Sequence, residues 1–309
     1  MIRGRSGGIA VLLITSVLWG TTGTAAALAR DVSPLAIGAV SLGIGGLLQA
    51  VVALRPLRRA HGKLAQHKVL LALGGFGVLV YPLAFYSSMH LGGVALGTVI
   101  SLGSAPLFSG VLERMIDSVR LSRRWYLAAT LGIAGSALLG FSRSAQPSVD
   151  TGQVVGSCLL GLVAGASYAL YSWVTGRLLA NGIDRGAAVG AVFGLGGVLL
   201  MPVLLATGAP LLASPANIAV AAYLALIPMF VGYLLFGLAL TKVSASTATT
   251  VTLSEPAVAA ALAVWVVGER LGVTGWIGMV LIGVALTVLV ARSRTLKPGS
   301  ELPVSVSGT

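Results

Sequence analysis

Apolar residues run along this chain in blocks of about 20, separated by short polar or charged segments, from one end to the other. A helix of that length is what a hydrocarbon layer of roughly 30 Å requires. The pattern predicts ten spans, at 9–29, 34–54, 69–89, 92–112, 125–142, 154–176, 186–206, 217–240, 244–267 and 272–291. The expected fold class is therefore an all-α integral membrane protein of ten transmembrane helices. Composition leaves no room for a soluble domain: 56% of residues are hydrophobic and 9% charged, with a mean hydropathy of +0.97, whereas a water-facing fold needs several times more charge.

The net charge of +12 raises the question of nucleic acid, and the placement of the charges answers it. With ten spans and a cytoplasmic N-terminus, seventeen of the 20 Lys and Arg fall on the cytoplasmic side, leaving only Arg30, Arg143 and Arg270 opposite. That asymmetry is the positive-inside bias of an inner-membrane (cell-membrane) protein with both termini in the cytoplasm. Anionic lipid headgroups suffice as partners for the basic loops, and no nucleic-acid partner is expected. Arg3 and Arg5 precede an apolar run ending in Ala27-Leu28-Ala29, which has the look of a signal-peptidase site. The run of about 21 residues exceeds the 7–15 residues of a signal h-region and is read as the first span. Cys158 stands alone and forms no intramolecular disulfide. Residues 292–309 read as a loose cytoplasmic tail.

Within the ninth block sits Glu255, roughly 18 Å from either end at helical rise, near the middle of the bilayer. A carboxylate there costs from a few to more than about ten kcal/mol, so such residues face a bundle interior or a watered cavity and mark substrate or proton paths. Pro256 follows, removing a backbone N–H and predicting an interrupted helix with an unpartnered Thr252 carbonyl. Interrupted helices at that depth are tolerated where they line a cavity, as in transporters.

The stretch from Tyr81 through Pro106 and Trp125 to Gly132 runs parallel to that from Tyr233 through Pro256 and Trp276 to Gly283, at offsets of 152, 150, 151 and 151. Trp19-Gly20 lies over Tyr168-Ala169 at an offset of 149, and Pro106 is the expected counterpart of the break at Pro256. A unit of about 150 residues carries five spans, an odd number, so the second copy is inserted upside down. The domains predicted are 1–150 and an inverted 151–291, an arrangement in which two repeats rock about a central site.

These residues carry a family resemblance. Ser244-Ala245-Ser246-Thr247-Ala248, Leu253-Ser254-Glu255-Pro256, Gly268-Glu269-Arg270-Leu271 and Gly275-Trp276-Ile277-Gly278 resemble the second half of an EamA-type transporter of the drug/metabolite transporter superfamily, and Trp19-Gly20 and Pro106 the first. The resemblance covers about residues 9–291. It implies a ten-helix inner-membrane carrier of two inverted repeats, usually an exporter of amino acids or other small metabolites. Two departures stand out. The family's first repeat often has Asn shortly after Trp-Gly and Arg inside the second helix, whereas this chain has Thr21-Thr22 and the uncharged run Ile37 to Gln49.

The candidate pathway is aromatic. Tyr168 and Tyr171, at i and i+3, share a face with Ser167 and Ser172 beside them. Tyr81 with Phe85, and Tyr233 with Phe236, occupy related positions in the two halves, and Trp19 lies mid-span. With Ser254 and Glu255 they are expected to form an apolar-aromatic vestibule with hydroxyl handles; the alternative for each ring is a helix contact or interfacial belt. Trp173, Trp265 and Trp276 fall near span ends and read as interfacial anchors. Glu113-Arg114 and Glu269-Arg270 read as loop-ordering charges, and Gly93/Gly97, Gly161/Gly165 and Gly190/Gly194 as close helix contacts.

An enzyme is not expected. There is no His-Glu-x-x-His, the histidines are His61, His67 and His90, and nothing pairs a nucleophile with a base. No metal or other cofactor is called for. The function expected is a secondary transporter, acting as a monomer on a zwitterionic or weakly polar metabolite, with protons as a coupling partner through Glu255. The other reading is a passive channel or lipid-handling protein.

Overall fold

The computed structural model describes residues 4–29, 31–143, 151–262 and 272–290, and within them the chain is helical with no strand. Among the described residues seven helices are long and apolar enough to cross a membrane: α1 (Arg5–Ala27), α2 (Pro34–Val52), α4 (Lys68–Val94), α5 (Leu96–Met115), α7 (Thr151–Ala180), α8 (Arg185–Thr207) and α9 (Pro215–Leu240). Between α2 and α4 lies α3 (Leu54–Gln66), and α6 (Arg123–Arg143) follows α5. The segment after α9 is split into α10 (Ala245–Val251), a 3₁₀ turn at Thr252–Ser254 and α11 (Glu255–Leu262), and α12 (Val273–Val290) ends the described chain. Of the expected spans beyond the seven, α6 is diluted by arginines at both ends, the ninth is split and α12 is short. Trp265, the Gly268–Leu271 motif and the tail lie outside the described residues.

Helix starts follow local chemistry. Ser33 precedes Pro34 and its hydroxyl accepts from Ala36 N at 3.2 Å; Ser214 before Pro215 does the same for Asn217 N at 3.1 Å. Asp184 caps α8 by accepting from Gly186 N and Ala187 N, and Ser244 caps α10 through Thr247 N. Each cap satisfies an amide that would otherwise lack an intrahelical partner.

Three expectations change. The basic stretch left between the second and third expected spans, residues 55–68, contains most of α3, whose Ala60 and Leu64 at i and i+4 are buried while Arg55, Arg58, Arg59 and Lys63 are exposed. Pro106 does not break its helix. The departure from helical geometry falls at Gly93, whose φ of 82° is open to a residue without Cβ. The reversal there presses Gly97 onto the backbone of Met89. Finally, the Thr252 carbonyl is not orphaned, because the 3₁₀ turn lets the Glu255 N–H reach it three residues back.

Packing joins distant parts of the chain. The α4–α5 pair packs most extensively on α7, α6 on α12, α2 on α8 and α1 on α9. Gly161 and Gly165 lie against Ile100 and Ser101 of α5, and Gly190 and Gly194 against Ala53 and Ala50, as small-residue spacing predicts. Gly93 serves its turn instead and meets nothing.

Candidate functional site

At the meeting of α1, α4, α7, α8 and α9 the aromatic residues form one continuous cluster. The Trp19 indole lies 4.8 Å from the Tyr233 ring centroid, 5.4 Å from Phe236 and 6.1 Å from Tyr168. Tyr81 stacks on Phe85 at 5.5 Å and meets Tyr168 at 5.5 Å and Tyr171 at 5.6 Å. Phe193 of α8, which sequence reasoning missed, closes the cluster 4.4 Å from Tyr233. Tilted and edge-to-face contacts predominate, the geometry that the ring quadrupole favours.

Several polar tips within the cluster are matched. The Tyr171 and Tyr233 hydroxyls are 2.6 Å apart. Tyr168 meets Thr252 Oγ1 at 3.0 Å, and because the Thr252 hydroxyl donates to the Thr249 carbonyl, Tyr168 is the donor. In α9, Pro228 interrupts the backbone ladder and a π-type segment, Ala225–Val231, carries the chain past it. Carbonyls of that segment accept from α1 and α2: Trp19 Nε1 donates to Pro228 O at 2.9 Å and Gln49 Nε2 to Phe230 O at 2.7 Å.

Trp19, Tyr81, Phe85, Tyr233 and Glu255 border a small cavity. Thr22, Ser41, Pro82, Tyr86 and Met229 complete its wall. Its volume, about 10 Å³, is room for about one water. Glu255 is 6% exposed, and neither a hydrogen bond nor an ion pair links its carboxyl to the described residues. Desolvating an unpaired carboxyl is costly, so the position is held by the fold rather than by local bonding. Gly20 lets α1 approach this point, since a Cβ there would sit 3.2 Å from the Glu255 carbonyl oxygen. The buried Tyr86 hydroxyl lies beside Ser41 without a hydrogen bond of full geometry.

Tyr168 and Tyr171 stand behind the cavity wall, in contact with the rings that line it. Ser254 is turned away: its hydroxyl donates to Val251 O at 2.8 Å, and it borders a separate open groove of about 310 Å³ between α1, α11 and α12. Of the wall residues that sequence reasoning missed, Tyr86 follows Phe85 directly. Thr22 and Ser41 lie in the two segments where the chain departs from the EamA pattern, which was the available signal.

At the C-terminal end of α5, Glu113 braces neighbouring helices rather than ordering a loop. Glu113 is buried; its carboxylate accepts from Ser246 N at 2.8 Å and Ser246 Oγ at 2.6 Å, while Trp125 Nε1 donates to Ser246 O at 3.1 Å. One turn on, Asp117 accepts from Trp173 Nε1 at 2.6 Å and pairs with Arg177, whose guanidinium lies over the Trp173 ring. Trp173 is thus a buried brace, not a belt residue, whereas Trp276 is exposed.

Comparison with known proteins places this geometry. The model of the EamA-like transporter family matches residues 6–141 and again residues 155–291. The protein described as "Uncharacterized transporter YwfM" from Bacillus subtilis (strain 168) is 35% identical over 297 residues, covering 95% of this chain and 97% of the relative. A solved structure titled "Crystal structure of protein" superposes with a TM-score of 0.75 at 17% identity, over 92% of this chain and 96% of its own, which is a likeness of fold.

Proposed function

The chain belongs to the EamA-like transporter family, a multi-pass membrane transport family, and from that premise we propose that it is a secondary carrier exporting a small metabolite by alternating access. In this reading ten helices cross the inner membrane as two inverted five-helix repeats, 1–150 and 151–291. Both termini and the tail 292–309 are cytoplasmic. The crossings beyond the seven long apolar helices are α6, the interrupted segment from Ala245 onward, and α12. The occurrence of one family model in each half supports the repeat, and the distribution of Lys and Arg supports the orientation.

The observation that carries the reading is Glu255, a buried carboxyl without a partner among the described residues, facing a cavity built from both halves of the chain. Such a group can take a proton on one side of the membrane and release it on the other when the cavity changes sides. The substrate class is an amino acid or a related zwitterionic or weakly polar compound. With room for about one water, the cavity must open to admit it, which is expected of an occluded carrier.

The test is Glu255→Gln in proteoliposomes. It keeps shape and hydrogen-bonding capacity but does not ionise, so pH-gradient-driven transport is expected to be lost while membrane insertion persists, and counterflow with it at substrate concentrations high enough to offset weaker binding. Wild-type rate with wild-type pH dependence would overturn the proton role. A passive channel or lipid-handling protein is the competing reading, and counterflow separates them: a carrier exchanges labelled for unlabelled substrate and shows trans-stimulation. An unbiased metabolite comparison of cells with and without the chain supplies the substrate for these assays.

A further inference from the structure

Resting on the carrier reading of the Glu255 cavity, we infer that the cavity recognises its substrate by a cationic group: within the zwitterionic or weakly polar class, the substrate presents a protonated amine to Glu255 and the surrounding rings. Among the described residues Glu255 is the sole charged residue of the wall, and neither lysine nor arginine borders it. Half of the described wall residues are aromatic, Trp19, Tyr81, Phe85, Tyr86 and Tyr233, and π-faces attract cations and repel anions.

The hydrogen-bond inventory points the same way. A hydroxyl has one proton to give, and both aliphatic hydroxyls of the wall have spent theirs on backbone: Thr22 Oγ1 donates to Trp19 O at 2.6 Å and Ser41 Oγ to Gly38 O at 3.1 Å. The Trp19 indole N–H is spent on Pro228 O. What these groups have left for a ligand is lone pairs. The protons still free to turn inward belong to phenol hydroxyls, which also accept. Carboxylate, lone pairs and ring faces together form an acceptor-rich, donor-poor surface. It suits an ammonium, which carries several donors and no acceptor, and it offers a carboxylate ligand no cation to pair with.

The experiment uses the purified full-length chain in detergent and three probes of similar shape and different charge: benzylamine, benzyl alcohol and phenylacetate. Binding is read by calorimetry. Benzylamine is expected to bind at least about tenfold more tightly than benzyl alcohol, and phenylacetate more weakly than either. Glu255→Asp should keep the preference for the amine. Glu255→Gln should bring amine and alcohol to within about twofold while still binding the alcohol. The wild-type probe series decides the matter even if neither variant folds. Equal or tighter binding of benzyl alcohol or phenylacetate overturns the cation selectivity and leaves the carrier reading standing. Failure of all three to bind overturns the cavity as a ligand site, and with it the Glu255 basis of the carrier reading.

Discussion

A buried hydroxyl pair distinguishes two tyrosines that sequence treats alike. Tyr171 and Tyr233 share one hydrogen bond of 2.6 Å, but only Tyr233 borders the cavity. Tyr233→Phe leaves the Tyr171 hydroxyl buried without a partner, a loss of about 1–3 kcal/mol. Tyr171→Phe leaves the Tyr233 hydroxyl facing space the size of one water, and so is expected to cost less. Thermal unfolding of the two variants in detergent should show that order, and the reverse order would mean that Tyr171, not Tyr233, faces the site. Glu113 supports a second comparison. Glu113→Ala removes the acceptor of both Ser246 bonds and should lower unfolding stability by about 1–3 kcal/mol, with Glu113→Gln milder because its amide oxygen still accepts from Ser246 N. An unaltered unfolding transition in the alanine variant would show that the brace contributes nothing.

Between helices, glycine has two separate roles that one matched pair of substitutions resolves. A Cβ at Gly46 of α2 would press on the Phe193 carbonyl of α8 and lie 3.4 Å from Gly197 Cα, backbone that has nowhere to move. At Gly62 of α3 a Cβ meets nothing within 4 Å. Gly46→Ala is expected to destabilise the chain, and Gly62→Ala to stabilise it by up to about 1 kcal/mol through helix propensity. Melting temperatures moving in the same direction for both would refute the α2–α8 contact. These cases also mark how far the sequence was legible. Block length located the long helices, and small-residue spacing located the contacts at Gly161/Gly165 and Gly190/Gly194. A helix break was expected at Pro106 and does not occur, because a membrane helix can continue past a lost amide, whereas the reversal expected between 89 and 92 falls at Gly93, where it needs a positive φ. α3 was hidden by its charge, its buried face being only Ala60 and Leu64. At the site, rings recurring in both halves pointed to Trp19, Tyr81, Phe85 and Tyr233. Thr22 and Ser41 were marked only by lying where the chain departs from the EamA pattern, and Met229 not at all, since a methionine in an apolar block resembles ordinary packing until its neighbours are known.

Across the whole molecule, direct contacts constrain which segments share a side of the membrane. Asp117 pairs with Arg177, Glu113 holds Ser246, and Pro56, Arg59 and Lys63 of α3 border one pocket with Gly182 and Asp184, so the segments near residues 55–65, 113–117, 177–184 and 244–246 lie at one end of the bundle. Thr21 meets Tyr223 at 2.7 Å, and Ser88 and Ser157 exchange hydrogen bonds with each other's carbonyls, tying other segments of the two halves together. The first group coincides with the loops that the ten-span arrangement assigns to one face, the arginine-rich one. Contacts say which segments lie together, while the basic residues support the proposal that this face is the cytoplasmic one. Reporter fusions after Lys68, Arg124, Arg185 and Lys297 are therefore expected to report cytoplasm, and fusions near Asp31, Asp150 and Ala209 the opposite side. The fusions at 150 and 209 are the decisive ones, because they flank α7 and α8 and thus fix the direction in which the second half enters the membrane. A reproducible cytoplasmic signal at either would break the ten-span arrangement. It would also remove the inverted repeat, and with it the geometry by which one cavity containing Glu255 can open to each side in turn.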